Sequence, residues 1–214
     1  SSKFTENKNN IVAWSLLAKY KASHQTVPSF KRSNEYLLLD ELKKCFYNGK
    51  DVINKTKKIL NKFGIKFFTL NRPPQTPAEG KSFMSGKNPA IVLSLKYKRL
   101  DNFAFTLFHE LGHVFEHLTN PDKPQFQNEE FFVNSPNNKI VEFEADNYAR
   151  NNLIEENIWI DFINLNENFP DEVILEFSKK NKIHPGIVRG RVCFEHNEYY
   201  RKRSSITALN KLEV

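Results

Sequence analysis

Apolar residues recur at helical spacing from early in the chain. In NIVAWSLLAKYKA (10–22), Ile11, Trp14, Leu17 and Ala18 form one stripe, which predicts a helix packed on another element. Residues 35–47 and 51–63 repeat that period on either side of NGK, and Gly49 suits a helix end, so a helical hairpin is expected. Two helices and a short turn also describe a DNA-reading helix-turn-helix, but antiparallel packing is the commoner use of this pattern. The period then changes. GIKFFTL (64–70) reads as a strand, and three prolines in NRPPQTPAEG exclude helix and mark an exposed loop. KSFM and AIVLSLKY flank SGKNP, which predicts a β-hairpin with a turn of several residues. Helical spacing returns over about 100–118, followed by a long proline-broken loop, TNPDKPQFQNEEFFVNSPNN. Another helix begins near Lys139, and NIWIDFINL, DEVILEFSKKN and PGIVRGRVCFEH predict three shorter ones. The polar residues after Tyr200 are expected to be loose. The fold class is therefore α+β, mainly helical with a small sheet.

Composition limits what this chain can be. At 214 residues, 39% hydrophobic and 13% aromatic, it can build one substantial core without staples. Residues 1–32 read as a helix and linker, 33–196 as the main domain, and 197–214 as a polar basic tail. Cys45 and Cys193 are far apart and in no paired motif, so they are expected to be buried, inert thiols in a reducing compartment. No apolar run approaches the roughly 20 residues of a membrane span, and SSKFTENKNN lacks the apolar stretch of a secretion signal. A soluble cytoplasmic protein with no membrane partner is expected. The net charge of +7 is spread along the chain, densest in KTKKILNK (55–62) and YRKRS (200–204), without a readout motif. Solvated helix faces explain it better than nucleic-acid binding by this chain. The chain opens on Ser1, with its single methionine at Met84, so either an initiator is removed or sequence precedes it.

The stretch FTLFHELGHVFEHL (105–118) carries the chemistry. Residues four apart on a helix differ by about 40° in direction, so His109 and His113 share a face one turn apart, as two ligands of a single ion must. Glu110 stands about 100° from His109, beside such an ion instead of on it, where its carboxylate can take a proton from water. H-E-x-x-H on a helix is the pattern of zinc peptidases. A catalytic zinc needs a third protein ligand, and KIVEFEADNYARNNL offers carboxylates on a second helix. Glu142 and Asp146 share a face there, whereas Glu144 points about 200° away from Glu142. Glu142 is the expected third ligand, and Asp146 is placed to accept the free ring N–H of His109. His117 reads as a structural or rim residue. Phe108, Leu111, Val114 and Phe115 belong to the core side, and Gly112 marks a close approach of another backbone.

These residues predict hydrolysis of an amide by Lewis-acid catalysis, with Glu110 as catalytic base and later proton donor to the leaving amine. The oxyanion donor is open: His184 and the tyrosines are candidates, although His184 before Pro185 also suits a turn. An extended substrate is expected to add to a sheet edge at AIVLSL (90–95).

The combination of FTLFHELGHVFEHL, IVEFEADNYARNNLI and IHPGIVRGR resembles the ImmA/IrrE family of zinc metallopeptidase-like proteins, particularly domains attached to XRE or HigA-type regulators. The resemblance runs from about Glu35 to Glu195. It implies a zincin-like fold, zinc on His109, His113 and Glu142, and Glu110 as the catalytic residue. It also implies a bacterial or phage regulator that cleaves a partner repressor, often with a DNA-binding domain upstream that this chain does not show. The chain departs from the family after the carboxylate helix, where NNLIEEN replaces an LLMP-like stretch and changes a wall near the cleft. Two functions follow: a zinc peptidase with a repressor or toxin–antitoxin protein as substrate, or an antitoxin-like or transcription-regulatory binding module whose zinc is structural or vestigial. Glu110→Gln separates them.

Overall fold

The computed structural model describes residues 8–73, 79–132 and 139–213. α1 (Lys8–Ser23) precedes the hairpin of α2 (Glu35–Asn48) and α3 (Val52–Lys62). Gly49 ends α2 in the left-handed conformation, at φ 70°, with its N–H on Cys45 O, so the break lies where NGK placed it. β1 (Lys66–Thr69), β2 (Gly80–Ser85) and β3 (Asn88–Leu93) follow, then α4 (Leu100–Gly112), which continues as a π-helical turn over His113–Leu118. After β4 (Glu130–Phe132) come α5 (Lys139–Leu153), α6 (Glu156–Leu165), α7 (Asp171–Asn181), α8 (Pro185–Glu195) and the short α9 (Ile206–Leu209). The class is α+β with a small mixed sheet. Among the described residues no helix is long and apolar enough to cross a membrane.

The sheet corrects several expectations. Its order is β1-β3-β2-β4, with β1 parallel to β3 and the other pairs antiparallel. AIVLSL is therefore interior, because β1 covers the side of β3 that β2 leaves free; among the described residues the edges are β1 and β4. The hairpin turn is tighter than expected, since Ser85 pairs with Asn88 and leaves only Gly86 and Lys87 between them. β4 lies inside what reads as a loop, and three residues are too few to show a period. Parts of the two expected loops, 74–78 and 133–138, lie outside the described residues.

Alternation along the strands divides the packing into two layers. Phe67, Ile91 and Leu93 face the main core with α2, α4, α5 and α8, while Phe83, Ala90 and Val92 face α1 through Trp14, Ala18 and Ala22. The predicted stripe of α1 is rotated accordingly: Trp14 and Ala18 are buried, but Leu17 is 44% exposed. Lys81, wholly buried on that outer face, donates to Ser15 of α1 and to Glu130 of β4, and Lys19 of α1 pairs with the same carboxylate. The first helix is thus clasped to the sheet. The C-terminal residues are packed as well, against the expectation of a loose tail. Ile206 and Leu212 are buried, and Asn210 accepts the Asp101 N–H and, through its carbonyl, the Leu100 N–H at the start of α4. Cys45 and Cys193 are free and buried.

Candidate metal centre

α4 is buried on almost every side, including at the polar residues His109 and Glu110, so each must find a partner or retain a costly unsatisfied group. Phe108, Leu111, Val114 and Phe115 are fully buried around them. The close contact anticipated at Gly112 is with α5: a Cβ there would lie 3.0 Å from Ala145 Cα and 3.2 Å from its carbonyl oxygen. That approach brings Glu142, about one turn before Ala145, over the histidines.

His109, His113 and Glu142 converge. Nε2 of His109 lies 3.1 Å from Nε2 of His113 and 3.3 Å from Glu142 Oε2, and His113 Nε2 lies 3.4 Å from Glu142 Oε1. These donors form a group that could hold a metal ion. On its far side His109 Nδ1 meets Asp146 Oδ1 at 2.8 Å. A carboxylate only accepts, so the Nδ1 proton is on the ring and Nε2 of the neutral imidazole is bare. Phe131 of β4 stacks on His113 at 4.4 Å and 4° between ring planes.

Electrostatics sharpen the picture. Burial works against a charged His109, but Asp146 and Glu142 outweigh it and push its pKa up to about 9. Burial and the neighbouring His109 charge push His113 down to about 4. Burial opposes ionisation of Glu142, yet the two imidazoles against its oxygens bring its pKa down to about 2. The cluster thus holds a negative Glu142 beside a positive charge, which without a metal is the His109 proton and which a cation would replace by taking the Nε2 lone pair.

Glu110 is wholly buried, and among the described residues neither carboxylate oxygen has a hydrogen-bond partner. Burial pushes its pKa up to about 8. Ser82 on β2 turns its hydroxyl towards the carboxyl without reaching hydrogen-bond geometry. Gly80, two residues earlier on the same face, leaves the space the carboxylate fills: a Cβ there would sit 2.4 Å from Glu110 Oε1. An unpartnered carboxyl aimed beside a cluster of donors fits a group that works on a molecule held at that cluster.

The remaining candidates fall elsewhere. Glu144 points away from Glu142, as the helix period requires, and reaches His117 and Lys123 at 2.8 Å each. His117 is fully buried, so it is no rim residue, and its Nδ1 lies 3.2 Å from His113 Nδ1. His184 is not placed in the cleft. It caps α8, its Nδ1 accepting the Gly186 N–H at 3.1 Å, and it lines a separate depression with Asp40, Phe46 and Ile183. The turn-holding use of a histidine before proline is the one observed. Gly80, Ser82 and Phe131 carry no local signal of their place, since strand register alone brings them to the site.

No family model matches the chain, and no curated protein matches it in sequence.

Proposed function

We propose that this chain is a zinc-dependent peptidase of zincin-like build that hydrolyses a peptide bond in a specific protein partner, such as a transcriptional repressor. The observation that carries the reading is the convergence of His109, His113 and Glu142 beside a buried Glu110 whose oxygens have no hydrogen-bond partner among the described residues. Donors about 2.1 Å from one tetrahedral ion stand roughly 3.4 Å apart. The separations of 3.1, 3.3 and 3.4 Å match that spacing, and two imidazoles with one carboxylate are a catalytic zinc donor set. The resemblance to the ImmA/IrrE family supports the same residues and the regulatory substrate.

A zinc ion held there would supply a Lewis acid that polarises the scissile carbonyl, acidifies water and keeps Glu110 ionised. The chain's own residues do the rest. Glu110 takes the proton of the attacking water and returns it to the leaving amine, one carboxylate serving both halves of the turnover. Asp146 holds the His109 ring in place, and Phe131 packs the outer face of His113. Phe131 also places β4 next to the centre, so an extended substrate strand adds to the β4 edge instead of AIVLSL.

Glu110→Gln is the decisive variant. Zinc bound per chain, measured after dialysis, is expected to be unchanged, while cleavage of the protein target falls by about 100-fold to 10,000-fold. Undiminished biological output from the folded, zinc-loaded variant defeats the peptidase reading and leaves a binding module with a structural metal.

A further inference from the structure

Behind the three donors lies a second row of groups. Nε2 of His113 faces His109 and Glu142, while its Nδ1 lies 3.2 Å from Nδ1 of His117. Nε2 of His117 lies 2.8 Å from Glu144 Oε2, and Lys123 Nζ reaches the same oxygen at 2.8 Å. Both rings are fully buried, with Phe131 stacked on His113 and Phe126 edge-on to His117, surroundings that disfavour an imidazolium.

The proton positions follow from which atoms can donate. Glu144 can only accept when ionised, and Lys123 beside it favours the ionised form, so the contact to His117 puts a proton on Nε2 of that ring. A neutral His117 then has a bare Nδ1. Between the two Nδ1 atoms one ring must donate, and only His113 is left to do so. With its proton on Nδ1, His113 presents the lone pair of Nε2 towards His109 and Glu142.

We infer that His117 and Glu144 are positioning residues: the chain Glu144–His117–His113 locks His113 in the tautomer whose Nε2 can bind metal. This inference rests on the metal reading above. Asp146 orients His109 directly, whereas Glu144 orients His113 through one intervening imidazole. α5 therefore supplies the third donor, Glu142, and both orienting carboxylates, at alternate positions 142, 144 and 146. Lys123, beyond the π-helical turn, holds the outer end of the chain.

Competition titration of zinc into the full-length chain tests the inference. His117→Phe keeps an aromatic ring but removes both nitrogens, and zinc binding about 10-fold to 100-fold weaker is expected. Glu144→Gln, at a partly exposed position, is expected to weaken binding in the same direction by less, with no threat to the fold. Nitrogen-15 spectra of the histidines in the unmodified, zinc-loaded chain give a readout independent of activity and of any substitution. They are expected to show His113 protonated at Nδ1 and His117 protonated at Nε2 alone. A proton on Nδ1 of His117 overturns the relay while leaving the metal centre standing, as does undiminished zinc affinity in both folded variants. A folded, unmodified chain that binds no zinc overturns the metal reading itself, and the relay with it.

Discussion

At the scale of single residues, the same side chain type serves opposite purposes according to its neighbours. His109 and His113 are kept unlike by theirs, one held towards the charged form by two carboxylates and the other held neutral by burial. His184 shows the structural use. Its Nδ1 must be bare to accept the Gly186 N–H, and burial lowers its pKa below the ordinary 6.5. The folded protein therefore binds this proton less tightly than the unfolded chain. The resulting stability is present above pH 6.5 and is lost as pH falls through the depressed folded value. His184→Asn keeps an acceptor at the cap without a titrating ring. Thermal unfolding between about pH 7 and pH 5 is expected to show a shallower loss of stability for this variant than for the unmodified chain. Parallel profiles would mean that the acid sensitivity arises elsewhere. His184→Ala, which removes the acceptor, is expected to cost about 1 kcal/mol at neutral pH.

At the scale of elements, the α4–α5 contact decides whether the three donors meet, and Gly112 sets its spacing. Ala145 Cα, its carbonyl oxygen and Tyr148 Cβ all lie 3.0–3.2 Å from where a Cβ on Gly112 would stand, and two of those atoms are backbone. Gly112→Ala must therefore push α5 outward. A loss of about 1–3 kcal/mol is expected in urea unfolding, together with weaker zinc binding as Glu142 is drawn away from the histidines. Unchanged zinc affinity would show that Glu142 follows its partners by side-chain motion alone. The sequence makes these two helices legible because the 3.6-residue period fixes directions within a helix: His109 with His113, and Glu142 with Asp146. It even marks Gly112. What it hides depends on register or on pitch. The parallel pairing of β1 with β3 joins segments 24 residues apart by contacts no local pattern encodes, as in Lys66 with Ala90. Gly80 and Ser82 reach Glu110 only because alternate residues of β2 face inward. The π-helical turn at His113–Leu118 departs from the regular pitch, so His117 could be placed on the right helix but not against His113 Nδ1.

At the scale of the whole molecule, α1 and the described residues after α8 are part of the scaffold around the candidate centre. α1 closes the outer face of the sheet, and the last residues close the start of α4. Arg99 bridges Lys211, Leu212 donates its N–H to Lys98 O, and Asn210 satisfies the N–H groups of Leu100 and Asp101, which the first turn of a helix leaves without internal partners. Lys202 O accepts from Arg189, and Asp171 accepts from Ser205, tying the same segment to α8 and α7. A chain ending at Arg201 loses these bonds and the burial of Ile206 and Leu212. At about 1.5–3 kcal/mol for each buried aliphatic side chain, the loss comes to roughly 3–6 kcal/mol. Against a total of about 5–15 kcal/mol for a domain, that is enough to shift the urea midpoint strongly or to leave the truncated chain unfolded. Equal midpoints for the truncated and full-length chains would make the final segment the loose tail its polar composition suggests. The composition misleads because only part of its apolar content is used: Ile206 and Leu212 each fill a buried position against the helices, while Leu209 between them is exposed.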